Sequence, residues 1–380
     1  MENRAEFDTP ALIDPEGLQQ LIHALARRGY EVIGPVRRDD AITYAPIDDL
    51  GDLPSGWRDR QAPGRYALER RADDALFGFN VGPHSWKRYL HPPEERVWSA
   101  TCDPDGLVTP AIDDDRSPPR AFIGARACEL RAIEIQDAVL CEGETPDPGY
   151  ARHREDAFIV AVNCSDAGET CFCVSMEAGP RARSGFDLAL TEMVEGDRHQ
   201  FLVEIGSPAG ADMLAEIPHR TANAAAREKA GAVIARTAAS MGRKLETKGL
   251  KERLQKNPEL QHWDDVAARC LSCGNCTMVC PTCFCTTFED TSDFANRTAE
   301  RVRKWDSCFS LDFSYVHGGS LRHSTRSRYR QWLTHKLANW IDQFGTSGCV
   351  GCGRCITWCP VGIDITVEAG ALREDASLHA

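Results

Sequence analysis

The sequence predicts an α+β protein, in which an N-terminal α/β region with a partly parallel sheet is followed by a largely helical, cysteine-rich C-terminal domain. Three observations carry this. Residues 121–163 read strand, helix, strand; residues 327–344 repeat apolar side chains at helical spacing; and two dense cysteine runs fall in the last third of the chain. At 380 residues the chain is long enough for two or three hydrophobic cores. The expected segments are 1–119, an N-terminal α/β region; 120–260, an α/β domain ending in a helical linker; and 261–380, the cysteine-rich domain.

The elements follow in order. A helix is expected from Pro15 to Arg28, started by Asp14-Pro15-Glu16 and stopped at Gly29. Extended patches follow at Tyr30–Ile33, Ala41–Tyr44 and Arg65–Leu68. Ala121–Gly124 reads as a strand feeding a helix from about Arg126 to Leu140, and Ala157–Asn163 as a second apolar strand. That spacing implies a βαβ unit with parallel strands. Asp187–Val194 and His199–Ile205 flank Glu195-Gly196-Asp197, a hairpin signal. An alanine-rich helix is expected over 222–241. Between 327 and 344, Tyr329, Trp332, Leu333, Leu337, Trp340, Ile341 and Phe344 form one apolar stripe, with Gly345 as the stop. The 68 residues between the two cysteine runs are expected to be helical.

Composition narrows the function. Apolar residues make up 42% and charged residues 27%, with a net charge of −13. This balance excludes a disordered chain and argues against general affinity for nucleic acid or anionic lipid. Apolar runs such as 157–162 are far too short to cross a membrane, which needs about 18 residues. The polar start, Met1 to Asp8, has no apolar leader core, so a cytoplasmic location is expected.

The chain carries 17 cysteines. In a reducing compartment, regularly spaced thiols signal metal binding or catalysis rather than disulfides. Cys270-x2-Cys273-x2-Cys276-x3-Cys280-Pro281 and Cys349-x2-Cys352-x2-Cys355-x3-Cys359-Pro360 repeat one pattern. This is the bacterial ferredoxin run, in which three thiolates wrap a cubane [4Fe–4S] cluster and the fourth crosses to the other cluster. The expected sets are therefore Cys270, Cys273, Cys276 and Cys359 for one cluster, and Cys280, Cys349, Cys352 and Cys355 for the other. The C-terminal domain is thus expected to be a helical ferredoxin-like domain with two [4Fe–4S] clusters. Structural zinc is the competing reading, but it usually takes two short pairs separated by a longer loop.

A third site is expected from topology. Cys128 follows the strand at 121–124 and Cys164 follows that at 157–163, so parallel pairing sets both at one carboxyl edge. Cys171 and Cys173 lie on the next loop. These four are a candidate third [4Fe–4S] site, with zinc or a redox-active thiol group as alternatives. Cys283, Cys285 and Cys308 are expected to be buried without ligating, and Cys102 and Cys141 to be incidental. From Arg301 to Lys336, eight basic residues stand against Asp306 and Asp312. They read either as a solvated face or as charges that offset anionic clusters or dock an acidic partner.

Several stretches carry a resemblance: Cys280-Pro281-Thr282-Cys283-Phe284-Cys285, Trp305-Asp306-Ser307-Cys308, Asp312-Phe313-Ser314-Tyr315, Tyr329-Arg330-Gln331-Trp332, and Asn163-Cys164 with Thr170-Cys171-Phe172-Cys173. Over about residues 120–370 the chain resembles the iron–sulfur beta subunit of cytosolic nickel–iron hydrogenases of the sulfhydrogenase type. It is similar also to the equivalent electron-transfer subunit of anaerobic sulfite reductase. The resemblance implies an electron-transfer subunit in a heteromeric complex. Its partners would be the hydrogenase small and large subunits, or the corresponding sulfite or polysulfide reductase subunit, together with a flavin- and NAD(P)-binding diaphorase subunit. No G-x-G-x-x-G or P-loop is present, and no nucleophile–base arrangement is legible, so the expected chemistry is one-electron transfer.

Overall fold

A computed structural model describes residues 9–110, 118–293, 295 and 297–375. The polar start at Met1 to Asp8 lies outside these residues. Among the described residues the chain builds one eight-stranded sheet. Its order is Arg220–Thr221, Ala11–Ile13, Arg198–Ile205, Leu188–Glu195, Phe158–Val162, Arg120–Ala125, Glu31–Arg38, Ala41–Pro46. The four strands from Leu188–Glu195 to Glu31–Arg38 pair in parallel and the flanking pairs are antiparallel, so the sheet is partly parallel. The sheet takes strands from both sides of position 120, and its main core joins Leu18, Ile33 and Phe77 with Phe122, Val160 and Phe201.

The parallel strands are apolar on both faces because both faces are covered. Phe122, Ile123, Val160, Val162 and Leu188 are fully buried. Helix Pro15–Arg27 starts at Asp14, whose carboxylate accepts the Gly17 N–H at 2.9 Å, and buries Leu18, Leu21, Ile22 and Leu25 in the main core. At the antiparallel end the alternation separates the faces. Phe201 and Val203 join the main core, while Leu202 meets Leu12 and Ala230 of helix Ala224–Ala239. The hairpin Leu188–Glu195/Arg198–Ile205 turns on Gly196 and Asp197, with Gly196 at φ +55°.

The segment between the cysteine runs departs from the helical expectation. Thr286–Asp293 and Thr298–Trp305 form an antiparallel hairpin, which continues through Glu94–Cys102 to Val108–Pro110 as a four-stranded sheet. Thr286–Asp293 is exposed along nearly all its length, so it needs no apolar alternation and leaves no periodic signal. Charge pairs across the strands, Arg301–Asp290 and Lys304–Glu289, take the place of a core.

The expected helix at 327–344 is present as one continuous element in three parts. Thr325–Thr334 is α-helical, His335–Asn339 is a π turn, and Trp340–Phe344 resumes the α form before Gly345 at φ +70°. Tyr329, Trp332, Leu333, Leu337 and Trp340 are buried. The first four join a second core with Leu250, Leu254, Trp263, Val266, Ile356, Ile363 and Leu372. Cys270, Cys276, Cys349, Cys355 and Cys359 pack against that core. No described helix is long and apolar enough to cross a membrane.

Candidate iron–sulfur sites

The two cysteine runs fold alike because their glycines fall at the same place. Gly274 and Gly353 each follow the second cysteine at φ near +75°, a left-handed conformation that suits glycine. Each starts a single helical turn, Asn275–Met278 or Arg354–Thr357, that carries the third cysteine inward. The match extends to the sulfurs. The Ser272 N–H donates to Cys270 Sγ and the Gly351 N–H to Cys349 Sγ, both at 3.4 Å, and each donor lies two residues after its run's first cysteine. Ile363 N–H donates to Cys359 Sγ at 3.3 Å.

Cys270, Cys273, Cys276 and Cys359 line one cavity, together with Cys355, Phe309, Tyr329, Trp332 and Ile363. Cys359 belongs to the second run by sequence, so the chain brings it across to the first. The Tyr329 hydroxyl and the Trp332 indole N–H on this wall are buried without a hydrogen-bond partner. A dry, apolar wall with spare donors suits a sulfide-bearing anionic group. Cys273 is exposed, and Leu271 (63% exposed) and Val361 (41%) flank it at the surface.

Cys280 crosses in the other direction. Its electrostatic neighbours include Cys349, Cys352 and Cys355 of the second run. Lys336, on the π turn, reaches it with Nζ 3.2 Å from Cys280 Sγ, and the same ammonium bonds Thr282 Oγ1 and the Gly348 carbonyl. Burial alone would lower the Lys336 pKa. The pull of Cys280, Cys283 and Cys349 outweighs it and raises the group well above the ordinary lysine value. Burial raises the Cys276 and Cys355 thiols well above the usual range and Cys349 to about 12, with neighbouring thiols adding to the rise at Cys276 and Cys355. Such thiols ionise at neutral pH only when a metal cation takes their charge.

The third set also converges. Cys128 on the first turn of helix Ala127–Leu140, Cys164 beyond strand Phe158–Val162, and Cys171 and Cys173 on the next loop line one cavity with Arg126, Arg354, Met241 and Cys352. Burial raises all four thiols, Cys173 to about 12. Arg126 Nε and Nη1 and Arg354 Nη1 are buried without partners on the same wall. Two guanidinium groups with spare donors beside four thiols fit a group whose ligands bring negative charge. Among the described residues, no three His, Cys, Asp or Glu side chains are arranged for a single metal ion, whose bonds of about 2.3 Å need thiolates crowded closer.

The third set joins the second run directly. Phe172 N–H donates to the Gly351 carbonyl at 2.8 Å, and a Cβ on Gly351 would lie 2.6 Å from the Phe172 carbonyl oxygen. Arg354 bonds Glu129 at 2.7 Å and the Gly82 carbonyl at 3.2 Å. Glu129 in turn accepts from the Tyr44 hydroxyl at 2.7 Å.

The basic stretch at 301–336 is mostly paired within the chain. Arg303 meets Glu95 and Asp147, Arg326 meets Glu259 and Asp264, Arg330 meets Glu259, and Arg328 bonds the Arg322 and His323 carbonyls. Lys336 is the member that touches an expected ligand. Its place on the stripe, between Leu333 and Leu337, is a signal of a buried lysine that pattern reading passed over. Cys102 donates to the Asp103 carbonyl and Cys141 caps helix Ala127–Leu140.

Twin cysteine loops of this kind, packed against one apolar core, define an iron–sulfur protein, and the model of the 4Fe-4S dicluster domain matches residues 269–363. The sulfhydrogenase 2 subunit beta of Pyrococcus furiosus is 34% identical over 347 residues, spanning 90% of this chain and 92% of that subunit. The chain belongs to this family of iron–sulfur beta subunits of sulfhydrogenases. No solved structure matches it.

Proposed function

We propose that this chain is the electron-transfer subunit of a hydrogenase complex, moving single electrons between the hydrogenase small and large subunits on one side and a flavin- and NAD(P)-binding subunit on the other. Cys270, Cys273, Cys276 and Cys359 would hold one [4Fe–4S] cluster, Cys280, Cys349, Cys352 and Cys355 a second, and Cys128, Cys164, Cys171 and Cys173 a third. When bound, such a cube takes up and releases one electron at a time.

The observation that carries this reading is that cysteines of the second thiol set line the cavities of both the others. Cys355, of the second set, lines the first cavity, and Cys352, also of the second set, lines the third. The protein's own part is to hold the thiols, exclude water and set local charge. Phe309, Trp332 and Ile363 dry the first site, Lys336 places positive charge on Cys280, and Arg126 and Arg354 supply donors at the third. The surface position of Cys273, between Leu271 and Val361, makes the first site the place where a partner comes closest.

The test is purification of the complex under anaerobic conditions. Co-purification with flavin and hydrogenase subunits, together with hydrogen-dependent NAD(P)+ reduction, supports the reading. Sulfite-dependent NADH oxidation by the purified complex, without hydrogen uptake, would overturn it in favour of a sulfite reductase.

A further inference from the structure

The third thiol cavity differs from the first in charge. Among the described residues no charged side chain lines the first, whose spare donors are the neutral Tyr329 hydroxyl and Trp332 indole N–H. The third is lined by two buried guanidinium groups, Arg126 and Arg354. Both are held from behind. Arg126 Nη2 donates to the Phe77 and Phe79 carbonyls at 2.8 and 2.9 Å, and leaves Nε and Nη1 without a hydrogen-bond partner. The segment carrying those carbonyls is itself pinned, because the buried Glu192 carboxylate accepts the Leu76 and Phe77 N–H groups at 2.6 and 2.9 Å. Arg354 gives Nε to the Gly82 carbonyl and Nη2 to Glu129, and keeps Nη1 spare.

Charge in this cavity is left unbalanced by the described residues. Glu129 answers Arg354, and Asp166 on the cavity wall is paired with Arg71 at 3.0 Å. The Arg126 guanidinium bonds carbonyls, and only its backbone N–H reaches Glu129, at 3.2 Å. A buried cation without counter-charge is costly unless the occupant of its cavity is anionic.

We propose that Arg126, with Arg354 beside it, makes the third site easier to reduce than the first, so that an electron entering the chain comes to rest at the third. This rests on the reading that Cys128, Cys164, Cys171 and Cys173 hold a [4Fe–4S] cluster. In the step concerned, one electron leaves a reduced cluster of the same chain and enters the third, whose net charge becomes one unit more negative. No proton moves, and no covalent bond forms or breaks. The spare N–H groups of Arg126 and Arg354 are the donors whose bonds to sulfur strengthen with that added charge. Such bonds and nearby positive charge favour the reduced state. Water at the exposed Cys273 acts in the same direction at the first site, but in high dielectric. The guanidinium charges act through buried protein, where screening is weak.

The test is a potentiometric titration of the anaerobically purified holoprotein, followed by electron paramagnetic resonance, with iron counted in every sample. The signal lost in Cys270→Ser identifies the first site, and that lost in Cys164→Ser the third. In the wild type the third signal should appear on reduction before the first. Arg126→Gln should lower the third site's reduction equilibrium constant at least tenfold, about 59 mV for one electron, with iron unchanged and the first site unmoved. Arg126→Lys, which keeps the charge, should recover most of that shift. An Arg126→Gln protein with full iron and an unmoved third potential would overturn the proposal, as would a wild type in which the first site is reduced before the third. If Arg126→Gln does not fold, the wild-type order of reduction decides alone. About eight irons per chain, with no signal lost in Cys164→Ser, would be a different failure, because it removes the third cluster and with it the reading beneath the proposal.

Discussion

The Lys336 ammonium donates to the sulfur of Cys280 at 3.2 Å, and both residues are buried. The π turn His335–Asn339 makes this contact possible by setting Lys336 on the inward side with Leu337 and Ala338. Such turns occur mostly at functional places in helices. A cation bonded to a cluster thiolate favours the more reduced, more negative state. Lys336→Met should therefore lower the potential of the cluster that Cys280 is proposed to ligate. A charged hydrogen bond is worth about 1.5–3 kcal/mol, or roughly 60–130 mV for one electron. Potentiometric titration followed by electron paramagnetic resonance measures it, and an unchanged potential would remove Lys336 from the site.

The proposed crossed ligation makes a sharper prediction from sequence distance. Cys359→Ser should damage the same cluster as Cys270→Ser and leave the set with Cys349 intact, with a loss of up to about four irons per chain in either variant. Iron analysis with the reduced-state resonance spectrum separates the outcomes. If Cys359→Ser instead removes the signal lost in Cys349→Ser, the assignment is reversed.

Arg354 joins the second cysteine run to the sheet through Glu129, which is 1% exposed. Arg354→Met leaves that carboxylate buried with the Tyr44 hydroxyl as its remaining side-chain donor. Breaking one side of a buried pair costs about 3–5 kcal/mol. The double variant Arg354→Met/Glu129→Gln should recover much of the loss. Anaerobic urea unfolding of the three proteins tests this, and a single-variant loss below about 1 kcal/mol would contradict it.

Stability should fall in acid through His91. This ring is 1% exposed, neither nitrogen has a partner, and burial, then the charges of Arg303 and Lys87, hold it at about 3. The unfolded chain titrates near 6.5. Below that value the unfolded state binds a proton that the folded state refuses, so the contribution is intact above pH 6.5 and erodes toward pH 3. The loss is about 1.4 kcal/mol per pH unit for this group. His91→Phe should flatten the slope between pH 6 and 5 by that amount, and equal slopes in the two proteins would contradict the assignment.

Much of this architecture could be read from the chain because periodicity and spacing are local signals. The apolar strands at 121–124 and 157–163 announced parallel pairing, and their parallel register sets Cys128 and Cys164 at one edge with Cys171 and Cys173. The twin runs and Gly345 were equally legible. What stayed hidden depends on long-range contact. The hairpin at 286–305 has polar faces and pairs with Glu94–Cys102 about two hundred positions away. Arg126 and Arg354 look like surface residues in sequence, and only the folded sheet buries them against thiols. The acidic partners of Arg303 and Arg326 likewise lie far along the chain, so the basic stretch read as more available than it is.

Iron and acid-labile sulfide per chain, measured on anaerobically purified protein, probe the three thiol sets most directly. Three cubes predict about twelve of each. A folded protein that carries zinc or no metal, with no acid-labile sulfide, would contradict the account.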